Sequence, residues 1–415
     1  MNFDFLKRWG RRRPVIPPAE PLSPEDRSAA ELHAPKLRDG TLVITHAEIC
    51  NRQGVGALLA KIFAGTPELL VFYSRNYFEG DCFGTATHHL PHPDHDLAGA
   101  RERVGARLQG HRINRIFCVP FYPDDALSAL AAADLTGAPL VTYVMDDQNL
   151  FVQGIPDELM GKLLNRSNLC FAISDVLRTG YREKYGKDFW IIPPVNSARL
   201  FAPADFQGPA NRPPRGVIIG NVWSLEILQQ LRAVIRSSGL KVDWFGNAGK
   251  PFIQLEETEL ATEGITLHPN LTDEPLVAEL RRFDYAVMPS GTLTGGLEHD
   301  WLFRASLPSR LIYLLTAAHL PLLVLGDPET AAGRFVTRLR LGTAVPYKPE
   351  AFRRAVGELT DPSRATITRA NAARLTPVFA SEGVSDWVWR SVVKGQPADE
   401  RYENLFAALH DPVTA

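Results

Sequence analysis

Twice along this chain, short apolar runs alternate with longer segments of helical period, and a proline-rich stretch separates the two series. The first series has the runs TLVIT (41–45), LLVFY (69–73), RIFCV (115–119), LVTYVM (140–145), LCFAI (169–173) and FWII (189–192). Helical segments are predicted between them over 54–64, 97–109, 124–133, 156–166 and 174–185. The second series has GVIIG (216–220), KVDWF (241–245), ITLH (265–268), DYAVM (284–288) and LPLLVL (320–325). Its predicted helices cover 223–238, 274–282, 308–318, 328–339 and 349–358. Strands that are apolar at consecutive positions are buried on both faces, and strands alternating with helices make parallel sheets covered on each side. The expected fold class is therefore α/β, with two Rossmann-like doubly wound domains whose strand ends face a shared cleft.

The break between the series is 193–215, which carries six prolines. Proline interrupts both helix and sheet, so this is the natural domain boundary. The reading divides the chain into a basic, Pro-rich tail and linker (1–38), an N-terminal domain (39–195), a linker (196–215), a C-terminal domain (216–372) and closing helices (373–415). Trp387 and Trp389 in those helices need a surface to pack on, and the N-terminal domain is the expected one.

A chain of 415 residues with 45% hydrophobic content is too long for one ordinary core and suits two. Lys and Arg together number 45 against 47 for Asp and Glu, a net charge of −2 that gives no electrostatic case for a nucleic-acid partner. Cys50, Cys82, Cys118 and Cys170 show no CxxC spacing and read as reduced thiols of a cytoplasmic protein. No apolar run reaches the length of a membrane span. At the start, Lys7, Arg8, Arg11, Arg12 and Arg13 surround Trp9. This cluster suits peripheral contact with the anionic inner face of a membrane, and a plain basic tail is the alternative.

The segment Ser306–Gly326, SLPSRLIYLLTAAHLPLLVLG, carries the strongest chemical signal. Pro308 suits a helix start, where its missing N–H costs nothing. Ser309 and Arg310 then fall where unpaired N–H groups and the positive end of the helix dipole meet, an arrangement suited to a diphosphate. In the first loop, THAEICNRQGVGALLAKIF, Gly54 and Gly56 open a helix and let backbone approach a ligand. A tight turn is the alternative, and a full GxGxxG is absent. Asp146 and Asp147 end an apolar strand, placed to hold hydroxyls or act as a base, or else to cap their own loop. Ser174 reads as a helix cap. Asn221 and Trp223 follow the first strand of the second series, and Asn247 follows the next. Ser290 and Gly291, with Gly295 and Gly296, would keep backbone open to phosphate oxygens, and Glu298 adds polar reach. HHLPHPDHD (88–96) is rich in ligand types, but its prolines forbid helical presentation, so a solvated loop without bound metal is expected.

Taken in order, AISDVLRTGYREKYG (172–186), the linker beginning PPVN, GNVW and LPSR resemble GT-B glycosyltransferases of the family 4 kind, from about residue 41 to 390. The resemblance implies transfer of a sugar from a nucleotide-sugar substrate to a glycan, lipid-linked or other hydroxyl acceptor, with retention and without cofactor or metal. It makes 39–195 the acceptor domain and 216–372 the donor domain, and it assigns donor binding to Asn221, Trp223, Asn247, Ser290, Gly291, Glu298, Ser309 and Arg310. Asp146 and Asp147 take the place of the family's His-Asp pair, and Gly54 and Gly56 line the cleft. Three departures stand out. Arg and Lys are missing after the first strand of the second series, which leaves the diphosphate to Arg310. The family's glutamate pair falls on Ala305 and Tyr313, and the linker reads PPVN where Asn-Pro-Val-Asp is common. The competing expectation is a non-catalytic binding protein of the same fold.

Overall fold

The computed structural model describes residues 36–209, 213–222, 224–246, 255–293, 300–407 and 409. The basic N-terminus, Trp223, Asn247, Gly295, Gly296 and Glu298 lie outside the described residues.

The first half runs β1 (Gly40–Thr45), α1 (Gly54–Ile62), β2 (Leu69–Tyr73), β3 (Ala86–His89), α2 (Leu97–Leu108), β4 (Ile113–Cys118), α3 (Pro123–Thr136), β5 (Leu140–Val144), α4 (Asp157–Arg166), β6 (Leu169–Ala172), α5 (Asp175–Tyr185) and β7 (Phe189–Ile191). Its seven strands are parallel, in the order β3-β2-β1-β4-β5-β6-β7. The second half runs β8 (Gly216–Ile219), α6 (Leu225–Ser238), β9 (Val242–Phe245), α7 (Glu257–Thr262), β10 (Ile265–His268), α8 (Asp273–Leu280), β11 (Tyr285–Pro289), α9 (Asp300–Ala305), α10 (Ser309–Ala318), β12 (Leu322–Leu325), α11 (Ala331–Arg338), β13 (Gly342–Val345), α12 (Pro349–Leu359), α13 (Pro362–Leu375), α14 (Val384–Lys394) and α15 (Arg401–Ala407). Its six strands are also parallel, ordered β10-β9-β8-β11-β12-β13.

Each sheet reverses direction once, between β1 and β4 and between β8 and β11, which is the doubly wound pattern expected from the sequence. Central strands such as β1, β2, β5 and β12 are buried at every position. That explains their unbroken apolar runs. The His-rich segment is only in part the solvated loop expected of it: 93–96 are exposed loop, but its start is not. His88 and His89 lie on edge strand β3. His92 is fully buried, with Nε2 2.7 Å from Ser128 Oγ and Nδ1 accepting from Arg103 Nε at 3.1 Å. The two prolines place a turn there rather than exclude structure.

The end of the chain returns to the first half. Trp387 is buried against Phe171 of β6, with ring centroids 5.7 Å apart. Glu403 of α15 accepts from Ile191 N at 2.9 Å and pairs with Arg178 of α5 at 2.6 Å. Among the described residues no helix is long and apolar enough to cross a membrane.

Candidate functional site

A cleft of about 2630 Å³ opens between the two halves. Residues that follow strand ends of both sheets line it, as switch-point geometry requires.

Two helices start toward each other across it. The residue before α1 is Gln53 and the residue before α10 is Pro308, and neither side chain caps the helix it precedes. Their first N–H groups are thus open to the cleft. The two starts nearly touch: a Cβ built on Gly54 would lie 3.5 Å from Ser309 Oγ. Gly54 and Ser309 both line the cleft. Gly56 does not. It is buried, and a Cβ there would meet Cys50 N and O at 2.7 Å and Glu48 O at 2.9 Å. Its part is to let the β1–α1 loop fold back on its own helix, not to line the cleft.

Arg310 is one of four cations that line the cleft among the described residues, with Arg52, Lys61 and Arg199. Arg310 Nη1 donates to Asn221 O at 2.9 Å and Ile219 O at 3.2 Å, the carbonyls at the end of β8. Gly220, between them, has φ +74°, and a Cβ there would come within 3.5 Å of Nη1. Glycine therefore suits both the turn and the approach of the guanidinium. Among the described residues no carboxylate pairs with Arg310. Burial holds its pKa down to about 10, so it still carries its charge at neutral pH. A desolvated guanidinium that, among the described residues, has only carbonyl acceptors at an open helix start favours an anion. Ser290 lines the cleft, and its carbonyl accepts from Tyr347 Oη at 2.6 Å. Gly291 has a different task from the open phosphate loop expected of it: a Cβ there would fall inside the Phe303 ring. Its missing side chain seats Phe303.

The two aspartates after β5 part company. Asp147 is fully buried. Its Oδ1 accepts from Asn149 N (2.9 Å) and Leu150 N (2.7 Å), and its Oδ2 accepts from Phe151 N (2.8 Å) and Val152 N (3.3 Å). With four backbone donors it holds its own loop and has no free face for a sugar. Asp146 lines the cleft and accepts from Ser306 Oγ at 2.7 Å. Desolvation pushes its pKa up to about 6, with Asp147 adding to the shift and the Ser306 bond opposing it.

At the positions aligned with the glutamate pair, Ala305 is buried and its carbonyl accepts from Ser174 Oγ at 2.5 Å. Ser174 also caps α5 through Leu177 N at 3.2 Å. Tyr313 donates to Asp273 Oδ1 at 3.1 Å, and the Lys61 ammonium lies 4.8 Å over its ring. Both positions thus join the halves together.

The sequence reading missed several residues here. Ser306 shows its partner only in three dimensions. Lys61 reaches Asn196 Oδ1 of the linker at 2.8 Å. His46, directly after β1, packs against Phe121 with the two rings tilted and their centroids 4.0 Å apart. Its Nδ1 is buried with no hydrogen-bond partner, and burial, helped by Arg75, lowers its pKa to about 3, so the ring is neutral. The strand-end position was the one available signal for it.

Many solved structures share this architecture. Anabaena HepE in complex with UDP and glucose superposes with a TM-score of 0.59 at 12% identity, covering 86% of this chain and 100% of that one. The α,α-trehalose 6-phosphate synthase of Burkholderia multivorans gives 0.58 at 11% identity over 86% and 99%. MurG of Acinetobacter baumannii gives 0.54 at 10% identity over 86% and 99%. The fold is GT-B. No family model and no curated protein sequence matches the chain. The likeness to these GT-B structures is one of architecture.

Proposed function

We propose that this chain is a glycosyltransferase that moves a sugar from a nucleoside-diphosphate donor to a hydroxyl acceptor in the cleft between its two halves. The observation that carries the reading is Arg310: a half-buried guanidinium with no carboxylate partner among the described residues, fixed by the carbonyls of Ile219 and Asn221 beside the open start of α10. Cleavage of the sugar–phosphate bond leaves negative charge on the departing diphosphate. Arg310 and the N–H groups at Ser309 are arranged to stabilise that charge as it forms. A guanidinium there supplies the positive charge that a divalent cation would otherwise bring, and the reading is metal-independent on that ground. The GT-B neighbours include one bound to UDP and glucose, which makes UDP the first nucleotide to try.

In this reading Asp146 holds a hydroxyl of the transferred sugar or the acceptor, oriented by Ser306. Gly54 leaves room for the diphosphate between the two helix starts. Retention of configuration follows the family 4 resemblance, and the anomeric coupling of the product, read by NMR, tests it separately.

The deciding experiment is a thermal-shift screen against UDP, GDP and their sugars, repeated with Arg310→Ala. Stabilisation by a nucleotide or its sugar, lost in the variant, is the expected result. Silence of the folded protein across the whole panel would remove the proposal. A shift that survived Arg310→Ala would remove the diphosphate assignment.

A further inference from the structure

A second concavity, of about 430 Å³, opens at the linker and shares no lining residue with the cleft. Phe206, Gly208 and Pro209 of the linker line it, together with Arg215 before β8 and Arg281 and Arg282 after α8. Three guanidiniums in one small concavity raise each other's energy unless negative charge lies among them.

The acids nearby do not balance them. Arg215 pairs with Asp243 at 3.2 Å, but Asp243 is shared with His268 at 2.6 Å. Asp284 Oδ2 accepts from Arg215 N at 2.8 Å, and Arg282 pairs with Glu279 at 3.2 Å. Arg281 has only carbonyl acceptors among the described residues. Its Nε donates to Ala317 O at 3.2 Å and its Nη2 to Phe201 O at 2.9 Å. Those bonds fix the guanidinium in place and leave Nη1 for a further acceptor.

The linker also lies on a fourth cation. Arg369 of α13 is buried and donates to four carbonyls, those of Ala318 (3.0 Å), His319 (3.4 Å), Phe283 and Asp284 (both 3.2 Å). A Cβ on Gly208 would fall 2.4 Å from Arg369 Cζ, and the Phe206 ring centroid is 5.8 Å from it.

His319, which ends α10, gives an independent sign. It is buried, and among the described residues neither of its ring nitrogens has a hydrogen-bond partner. Its ring stands edge-on to Phe206 at 6.5 Å. Burial, Arg369 and Arg281 together lower its pKa to about 4, which puts the imidazole in the field of the same cations. Buried polar atoms without partners call for an explanation, and an occupant or ordered water beside Phe206 supplies one.

We propose that this concavity is a second anion site, for a soluble phosphate monoester held by Arg281 and Arg282 with Arg215 at its edge. A phosphate monoester presents three oxygens and close to two charges at neutral pH, which suits two guanidinium forks better than a single carboxylate does. Phe206 gives the esterified group a flat apolar contact, and the volume admits a small molecule. Among the described residues the lining holds no exposed large apolar side chain, so acyl chains would find nothing to pack on. The site depends neither on Arg310 nor on the glycosyltransferase reading.

The test is titration calorimetry with sn-glycerol 3-phosphate on the full chain, run on wild type and on Arg310→Ala, each with and without Arg282→Ala or Arg281→Gln. Binding is expected to persist in Arg310→Ala and to weaken about tenfold when either Arg282→Ala or Arg281→Gln is added. Arg282 is exposed, and glutamine at 281 can still donate to the Phe201 carbonyl, so melting temperatures should stay close to those of the parent proteins. In wild type the His319 imidazole resonances, identified by their loss in His319→Gln, should shift as the ester is added. No binding by folded Arg310→Ala would overturn the proposal, because the ester would then belong to the cleft. Equal binding with and without the Arg282 and Arg281 substitutions would overturn it too. So would binding of phosphatidic acid vesicles that depends on Arg282 while the soluble ester stays silent.

Discussion

Asp146 Oδ1 accepts a hydrogen bond from Ser306 Oγ at 2.7 Å, and the two residues come from opposite halves of the molecule. The bond closes the floor of the cleft where the strand end of β5 meets the approach to α10. Desolvation at the same place pushes the Asp146 carboxyl up to about 6, against the pull of the Ser306 bond.

The sign of that titration is defined. The Asp146 carboxyl titrates at about 6 in the fold against 3.8 unperturbed. Between these values the native state holds more protons than the unfolded one, so this group's contribution to stability falls as pH rises through the window. Function should run the other way, because only the carboxylate can accept from both Ser306 and a sugar hydroxyl. Donor turnover is expected to rise with pH around an inflection near 6. Asp125 titrates in the same range, so the comparison with Asp146→Asn isolates the Asp146 contribution. That limb of the pH–rate profile should flatten in Asp146→Asn and move upward in Ser306→Ala, which removes a bond favouring the charged form. An unchanged inflection in both variants would separate Asp146 from the chemistry.

Asp146 and Asp147 should also divide cleanly between activity and stability. Asp147→Ala strips the acceptor from four backbone N–H groups and is expected to cost about 2–3 kcal/mol in chemical denaturation. Asp146→Asn keeps the shape of a cleft residue and removes the desolvated charge, so at neutral pH its denaturation midpoint should equal or exceed that of wild type while turnover falls. The reverse pattern would mean that the two roles had been exchanged.

The fold was legible because parallel strands buried on both faces write themselves as unbroken apolar runs. The two strands the sequence reading missed, β3 (ATHH) and β13 (GTAV), lie at sheet edges and are only partly buried. Without two covered faces they carry no such run. Arg310 and Ser309 were legible because a helix start has local chemistry: Pro, then polar, then apolar period. The partition of Asp146 from Asp147 was not, because adjacent residues at a strand end point to opposite sides and only the loop geometry says which side is the cleft. Gly56 and Gly291 misled for a related reason. A glycine that makes room for a ligand and one that makes room for its neighbours look alike in sequence.

That last distinction is testable at the β1–α1 loop. Gly56→Ala would drive a methyl into the backbone of Cys50 and Glu48, and a destabilisation of about 1–3 kcal/mol is expected. Gly54→Ala meets only Ser309 Oγ at ordinary contact distance and should leave the melting temperature unchanged. Gly54→Leu, by contrast, would fill the gap between the two helix starts. It should weaken donor binding in titration calorimetry while leaving the fold intact. Equal loss of stability in Gly54→Ala and Gly56→Ala would contradict this division.

The linker offers the last prediction. Asn196 is buried and ties three parts of the molecule together. Its Oδ1 accepts from Lys61 at the end of α1 (2.8 Å), its Nδ2 donates to Thr316 of α10 (3.0 Å), and its backbone pairs with Phe379 and Ser381 of the returning chain. Lys61 is itself desolvated, which lowers its pKa, and it has the Tyr313 ring beneath it. Asn196→Ala should therefore leave a half-buried ammonium without its acceptor and cost about 1–2 kcal/mol. Asn196→Asp restores the residue that the resembling linkers carry and offers Lys61 a full charge. A double-mutant cycle with Lys61→Met measures the difference, and the coupling should be larger for Asp than for Asn at this position. The Asp variant must also lose its donation to Thr316, so its net stability should stay near that of wild type while the coupling grows. Equal coupling in the two cycles would show that Lys61 is held by the Tyr313 ring alone and that Asn196 joins the halves through its backbone.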